Sequence, residues 1–200
     1  MVPGENGEIL FGRNFDFGYS PSMQVFTDPD NGYASVSTVN LSFLRYDAEN
    51  LPEGMTVDEA VELLEKYNVY FSGGFYCHYL IGDSSGRSVI VEYYDGEMQV
   101  IEADTTYQAV TNFIAYNGLN NGLGGDEFER YDRVLQVNME NNGVLNESQA
   151  VQLLADVGIR NEKEDYLQWS VVYNLTSGDN ILFAHRNTEN LLHSRLEMTS

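Results

Sequence analysis

The chain has 200 residues, 42% apolar and 12% aromatic, enough to fill the core of one domain. Its 31 acidic residues stand against 10 Lys and Arg, a formal net charge of −21 with no basic run, so nucleic acid and anionic membrane are excluded as partners. No stretch approaches the ~20 apolar residues of a membrane span, and no apolar run of signal-peptide length opens the chain. With one cysteine, Cys77, no intrachain disulfide is possible, which is compatible with a reducing, cytoplasmic setting.

In chain order, "GENGEILFGRNFDFG" reads as a turn at Asn6-Gly7 leading into a strand through Ile9 and Phe11. "GYASVSTVNLSFL" (32–44) alternates Ala34, Val36 and Thr38 with polar neighbours, a second strand. "TVDEAVELLEKY" (56–67) predicts a helix, because Thr56 and Glu59 have capping-box spacing and Val57, Ala60, Val61 and Leu64 form one apolar stripe. "FYCHYLIG", "RSVIVEYY" and "EMQVIE", joined by "DSSG" and "DG", predict a three-stranded meander. "YQAVTNF" (107–113) is expected as a fourth strand, followed by the loop "NGLNNGLGGD". Segments 127–139 and 146–158 predict helices, the second stopped by Gly158. "WSVVYNLTSGDNILFAHRN" closes as a hairpin around Ser177-Gly178-Asp179-Asn180. Strands and helices come in blocks, which argues an α+β fold with antiparallel sheets in a single domain spanning 1–200.

The chemistry-bearing residues are few. There is no Gly-rich phosphate loop, no cysteine pair and no His-Glu-x-x-His pattern, so neither metal nor cofactor is expected. His78, His185 and His193 are scattered and read as core or surface residues, and "GDSSGR" reads as a hairpin turn. Cys77 stands beside His78, but neighbours on a strand point to opposite faces, so Cys77 is expected as a small buried residue. Arg13 and Asp16 are three apart and so face opposite ways on a regular strand. Asn112 ends the apolar "AVTNF", and Arg130 opens a helix in "ERYDR"; taken singly, these four charges and amides read as a surface pair, a turn and a solvated face.

Taken in order, "GEILFGRNFDF", "GYASVSTVNLSFL", "HYLIGDSSGRSVIVEYYDGEMQVI", "AVTN" and "ERYDR" resemble the choloylglycine hydrolase family. That family of linear-amide C–N hydrolases includes bile salt hydrolases and penicillin V acylases and belongs to the N-terminal nucleophile hydrolases. The resemblance covers about residues 5–187. It implies a four-layer αββα sandwich and a small-molecule N-acyl amide substrate, with self-association into a homo-oligomer compatible with it. It also implies that a Cys at the mature N-terminus attacks the amide carbonyl, its own α-amine serving as base. Arg13 then stabilises the thiolate, Asp16 orients the α-amine, and Asn112 helps bind the amine and the developing oxyanion. Arg130 matches a second Arg that ties the charge network together.

The chain departs from the family pattern at two places. The family's Cys lies about sixteen residues before its matching Arg, whereas twelve residues precede Arg13 and the chain opens Met1-Val2-Pro3. The strand ending "LSFL" runs directly into "MTVDEAVELL", without the Asp-Gly-Met-Asn-Glu-like motif that carries another oxyanion contact. The expectation is a domain truncated at the N-terminus and shortened near 45–56, inactive as written. Cys77 cannot replace the nucleophile, because it has no free α-amine. Two readings follow: an amide hydrolase represented by an incomplete chain, or a catalytically dead ligand-binding or scaffold domain on the same fold. Tyr19, Tyr70 and Phe71 are aromatics that either line an apolar acyl pocket or fill the core.

Overall fold

A computed structural model of the protein describes residues 1–18, 22–28, 30, 33–40, 55–67, 77–116, 126–160 and 165–196. The strands in chain order are β1 (Val2–Pro3), β2 (Ile9–Asp16), β3 (Ser22–Thr27), β4 (Ser35–Asn40), β5 (His78–Gly82), β6 (Ser88–Tyr94), β7 (Glu97–Glu102), β8 (Leu167–Asn174), β9 (Asp179–Ala184) and β10 (Leu192–Arg195). The helices are α1 (Val57–Glu65), α2 (Glu127–Glu140) and α3 (Glu147–Val157). The fold is α+β, and the ladders β2–β8, β3–β4, β5–β6–β7 and β8–β9–β10 are antiparallel, as the block order of elements implied. Two compact units form, one from Met1–Ile9 with Thr56–Leu145, the other from Leu10–Met55 with Asn146–Ser200. No described helix is long and apolar enough to cross a membrane.

The first unit is built on the meander β5–β6–β7. Its tight β6–β7 turn is Asp95-Gly96, both at positive φ (53° and 82°), the backbone that an Asp-Gly hairpin supplies at least cost. Helix α1 begins where the capping box predicted: Glu59 N donates to Thr56 Oγ1 and Thr56 N donates to Glu59 Oε2. Asp83 ties the same helix start to the β5–β6 turn, accepting from Val57 N at 3.0 Å. The stripe Val57, Val61 and Leu64 then covers Val89 and Val91 of β6, a core that also takes in Ile81, Tyr93 and Met98. Helix α2 joins the unit through Phe128 and Tyr131, which hold the buried Phe113 ring between a stacked and an edge-on contact.

The second unit is built on β2–β8–β9–β10. Directly opposed pairs Leu10–Asn174, Gly12–Val172 and Asn14–Ser170 share one face of the sheet; Phe11–Tyr173, Arg13–Val171 and Phe15–Trp169 share the other. Helix α3 packs on the first face. A Cβ on Gly12 would stand 3.3 Å from both Leu154 methyls, so the small residue lets the helix approach. Asn14 Nδ2 donates to Leu154 O and its Oδ1 accepts from the buried Ser170 hydroxyl, so the polar groups on this face are paired. The helix opens on a capping box, Asn146 with Gln149. It ends at Gly158, where a Cβ would meet the Leu167 side chain at 2.9 Å. Arg186 closes that end, donating to the carbonyls of Ala155 and Gly158 and to Asp165 Oδ2. The hairpin β3–β4 lies on the opposite face, attached by Tyr173 Oη to Thr38 and by Ser194 Oγ to Gln24.

The structure corrects the sequence reading in three places. Residues 107–112 form no strand, and Phe113 makes only an isolated bridge. Gln108 exchanges main-chain bonds with Met1; beyond it Phe113 N donates to Thr111 O, the Thr111 hydroxyl donates to Glu127 O, and Ala115 N and Tyr116 N donate to a carboxylate. Cys77 is exposed rather than buried, because the β5 ladder starts one residue later, at the pair His78–Glu92. Strands β3 and β10 lie where no strand was expected. The expected strand residues 41–44, the shortened segment near 45–56 up to residue 54, the loop 117–125, and Tyr19, Tyr70 and Phe71 lie outside the described residues.

Candidate functional site

Two of the four singled-out residues stand on β2, in the second unit. Arg13 is exposed on the face shared with Phe15, Trp169 and Tyr173, its guanidinium carbon 5.7 Å from the centre of the Trp169 ring. Below it Trp169 is buried and stacks on Phe15 at 5.1 Å with ring planes 7° apart. A guanidinium at this distance from an indole is in cation–π range, and its N–H groups remain donors for an anion. Burial raises the Tyr173 hydroxyl above its ordinary pKa, against the opposing effects of its Thr38 bonds and the Arg13 charge. Next to Arg13 stands a neutral phenol.

Asp16 faces the other way, as the odd spacing implied. The β2–β8 register shifts between Phe15 and Asp16, where Asp16 comes opposite Leu167, and the carboxylate turns to the α3 side. Its Oδ1 accepts from Ile159 N at 2.7 Å, just past the end of that helix. Arg13 and Asp16 are thus not brought together on one face. Asp16→Ala is expected to destabilise the protein by about 1–3 kcal/mol, since the Ile159 amide loses this acceptor. A urea titration checks this, and a change within ~0.5 kcal/mol, the range of an ordinary surface substitution, would contradict it.

The other two residues meet in the first unit. Arg130, on the first turn of α2, donates from Nη2 to Asn112 Oδ1 at 2.8 Å and from Nε to Asp126 Oδ1 at 3.2 Å. Its side chain is largely buried while Asn112 is exposed. Because Arg only donates, the bond fixes the amide: the oxygen turns to Arg130 and the NH2 group is presented as a donor. A fixed amide donor on an exposed turn is the element that an oxyanion site needs. The Thr111 hydroxyl, bonded to Glu127 O at 2.6 Å, anchors the turn to the start of α2. Among the described residues no group of His, Cys, Asp and Glu has the arrangement of a metal site.

No family model matches the chain, and no curated protein matches it. Solved structures do. Penicillin V acylase from Agrobacterium tumefaciens superposes with a TM-score of 0.58 at 16% identity, over 98% of this chain and 84% of that one. An Arg-to-Leu variant of conjugated bile acid hydrolase from Clostridium perfringens gives 0.63 at 15% identity, over 97% and 90%. A Cys-to-Ala mutant of the same hydrolase gives 0.58 at 13%, over 94% and 88%. The chain has the fold of these hydrolases. The α+β fold with antiparallel sheets that the block order and the ordered motifs implied is therefore the fold observed.

Sequence reasoning missed one feature of the first unit. Glu92, in the apolar run of β6, is only 4% exposed, yet its two oxygens accept from Ala115 N and Tyr116 N at 2.9 Å each. His78 Nδ1 lies 3.3 Å from Glu92 Oε1, and the ring also stands against the Phe113 backbone. Burial lowers the His78 pKa below its ordinary value, and the Glu92 charge, the Glu92 bond and the Phe113 bond oppose that shift. The available signal was a lone acid inside "SVIVEYY", since a buried carboxylate survives only with donors around it.

Proposed function

We propose that this protein is a hydrolase of linear, non-peptide amides of the choloylglycine hydrolase type, acting on small N-acyl compounds such as a conjugated bile salt or penicillin V. The observation that carries the reading is the Asn112–Arg130 bond. "AVTN" and "ERYDR" are separate motifs, matched to the family independently, and their side chains meet with the amide N–H2 turned outward. In this reading an N-terminal Cys adds its sulfur to the amide carbonyl as its α-amine takes the thiol proton. Asn112 donates to the oxyanion, the amine leaves with a proton, and water then cleaves the thioester.

The test is an assay of the natural polypeptide, with its own N-terminus determined by mass, against a panel of N-acyl amides. Asn112→Ala is expected to lower kcat by about 10²–10³-fold, the usual cost of one oxyanion donor. A natural chain that hydrolyses none of the panel, or an Asn112→Ala enzyme as fast as wild type, would sink the proposal. One observation favours a second reading, a ligand-binding domain without turnover: Asp16 gives Oδ1 to Ile159 N and faces away from Arg13. Calorimetry showing a saturable amide ligand without hydrolysis would select it.

A further inference from the structure

We infer that Glu92 and His78 are positioning residues for Asn112, clamping the turn that carries it; this rests on the functional reading just given. Among the described residues the turn from Asn112 to Tyr116 joins no strand ladder. Its main chain is held from β6 instead, through two bonds of the Glu92 carboxylate to residues 115 and 116, with the His78 ring of β5 against Phe113. Adjacent amides of Ala115 and Tyr116 each meet a different oxygen of the same carboxylate, so Glu92 fixes their direction as well as their distance. His78 sets its ring beside both the carboxylate and the Phe113 backbone, and its one ring N–H donates to one of these two acceptors. Glu92 and His78 are directly opposed on the β5–β6 ladder, so the sheet aligns them before the turn docks. Between the clamp and Asn112 lies Phe113, buried against Phe128 and Tyr131 of α2, the helix that also carries Arg130. Clamp, Phe113 and Arg130 together leave Asn112 one orientation. Few side chains cost more to bury than a carboxylate, and this one holds two backbone amides, with His78 beside it, next to a candidate oxyanion donor.

Glu92→Gln keeps the size of the side chain but replaces one acceptor oxygen with an NH2 that faces an amide N–H. Hydrogen exchange at Ala115 or Tyr116 is expected to speed up by roughly 10- to 100-fold, with the β6–β7 amides unchanged. In the same variant the Asn112 side-chain and Arg130 Nε–H signals in an NMR spectrum should move toward those of exposed side chains. In the natural enzyme kcat should fall about tenfold or more at nearly constant KM, because only a transition-state contact is loosened. His78→Gln should give the same pattern with a smaller amplitude. Unchanged exchange at both amides, or unmoved Asn112 and Arg130 signals, would overturn the inference; so would a kcat that stays at the wild-type value while exchange rises. If the wild type hydrolyses no amide, the functional reading falls, and the exchange and NMR signals still decide whether the clamp holds Asn112.

Discussion

Arg13→Ala is expected to lower amide hydrolysis by about 10²–10³-fold and to leave the melting temperature nearly unchanged. The two effects separate because of where the side chain sits. Arg13 is exposed at the middle of β2, and its contact with the Trp169 ring is a cation–π pair worth about 0.5–1 kcal/mol at an exposed site. Its charge, by contrast, is the term that would hold a thiolate ionised at neutral pH. Arg13→Lys is the informative companion: an ammonium keeps the charge but lacks the planar fork of N–H donors. Partial recovery with lysine would assign the effect to charge, and no recovery to the planar guanidinium. Steady-state kinetics with a thermal melt of each variant make the measurement. A rate for Arg13→Ala within a few-fold of wild type would remove Arg13 from the site.

Trp169→Ala is expected to cost about 3–5 kcal/mol of stability, a large part of the 5–15 kcal/mol that holds an ordinary domain. The indole is 2% exposed, stacked on Phe15 and covered by Arg13, so its removal empties the centre of the β2–β8 face. Trp169→Phe should lose far less, below about 1.5 kcal/mol. It keeps a ring against Phe15 and removes an indole N–H that has no hydrogen-bond partner among the described residues. Urea titrations at constant m-value give both numbers. A Trp169→Ala loss under ~1 kcal/mol would mean that the neighbouring rings close over the gap.

Helix α1 was readable because its signals are local: Thr56, Glu59 and the stripe Val57, Val61 and Leu64 all lie within one short segment. The Asp95-Gly96 turn and the opposed directions of Arg13 and Asp16 were readable for the same reason, a period of two and a dipeptide with one preferred turn. The turn at 112–116 was not, because its backbone partners, Glu92 and His78, lie some twenty to forty residues upstream. Apolar alternation in "YQAVTNF" then looked like a strand, though among the described residues 107–112 join no ladder. Strand β10, "LHSR", is short and polar, as an edge strand is, and so carries little pattern. The pairing of Asn112 with Arg130 had no periodic signature at all; only the resemblance of the two motifs to one family pointed at both residues.

The register of β2 has a consequence for how the protein is made. Leu10 pairs with Asn174, so the first long strand finds its partner only about 160 residues later. At bacterial or eukaryotic elongation rates that is a wait of roughly 8–30 s, during which Phe11 and Phe15 sit on a strand with an open edge. Until β8, β9 and β10 have been made, the second unit is still open. Production of soluble protein should accordingly respond to chaperone supply and to temperature during synthesis, more than the stability of the finished molecule would suggest.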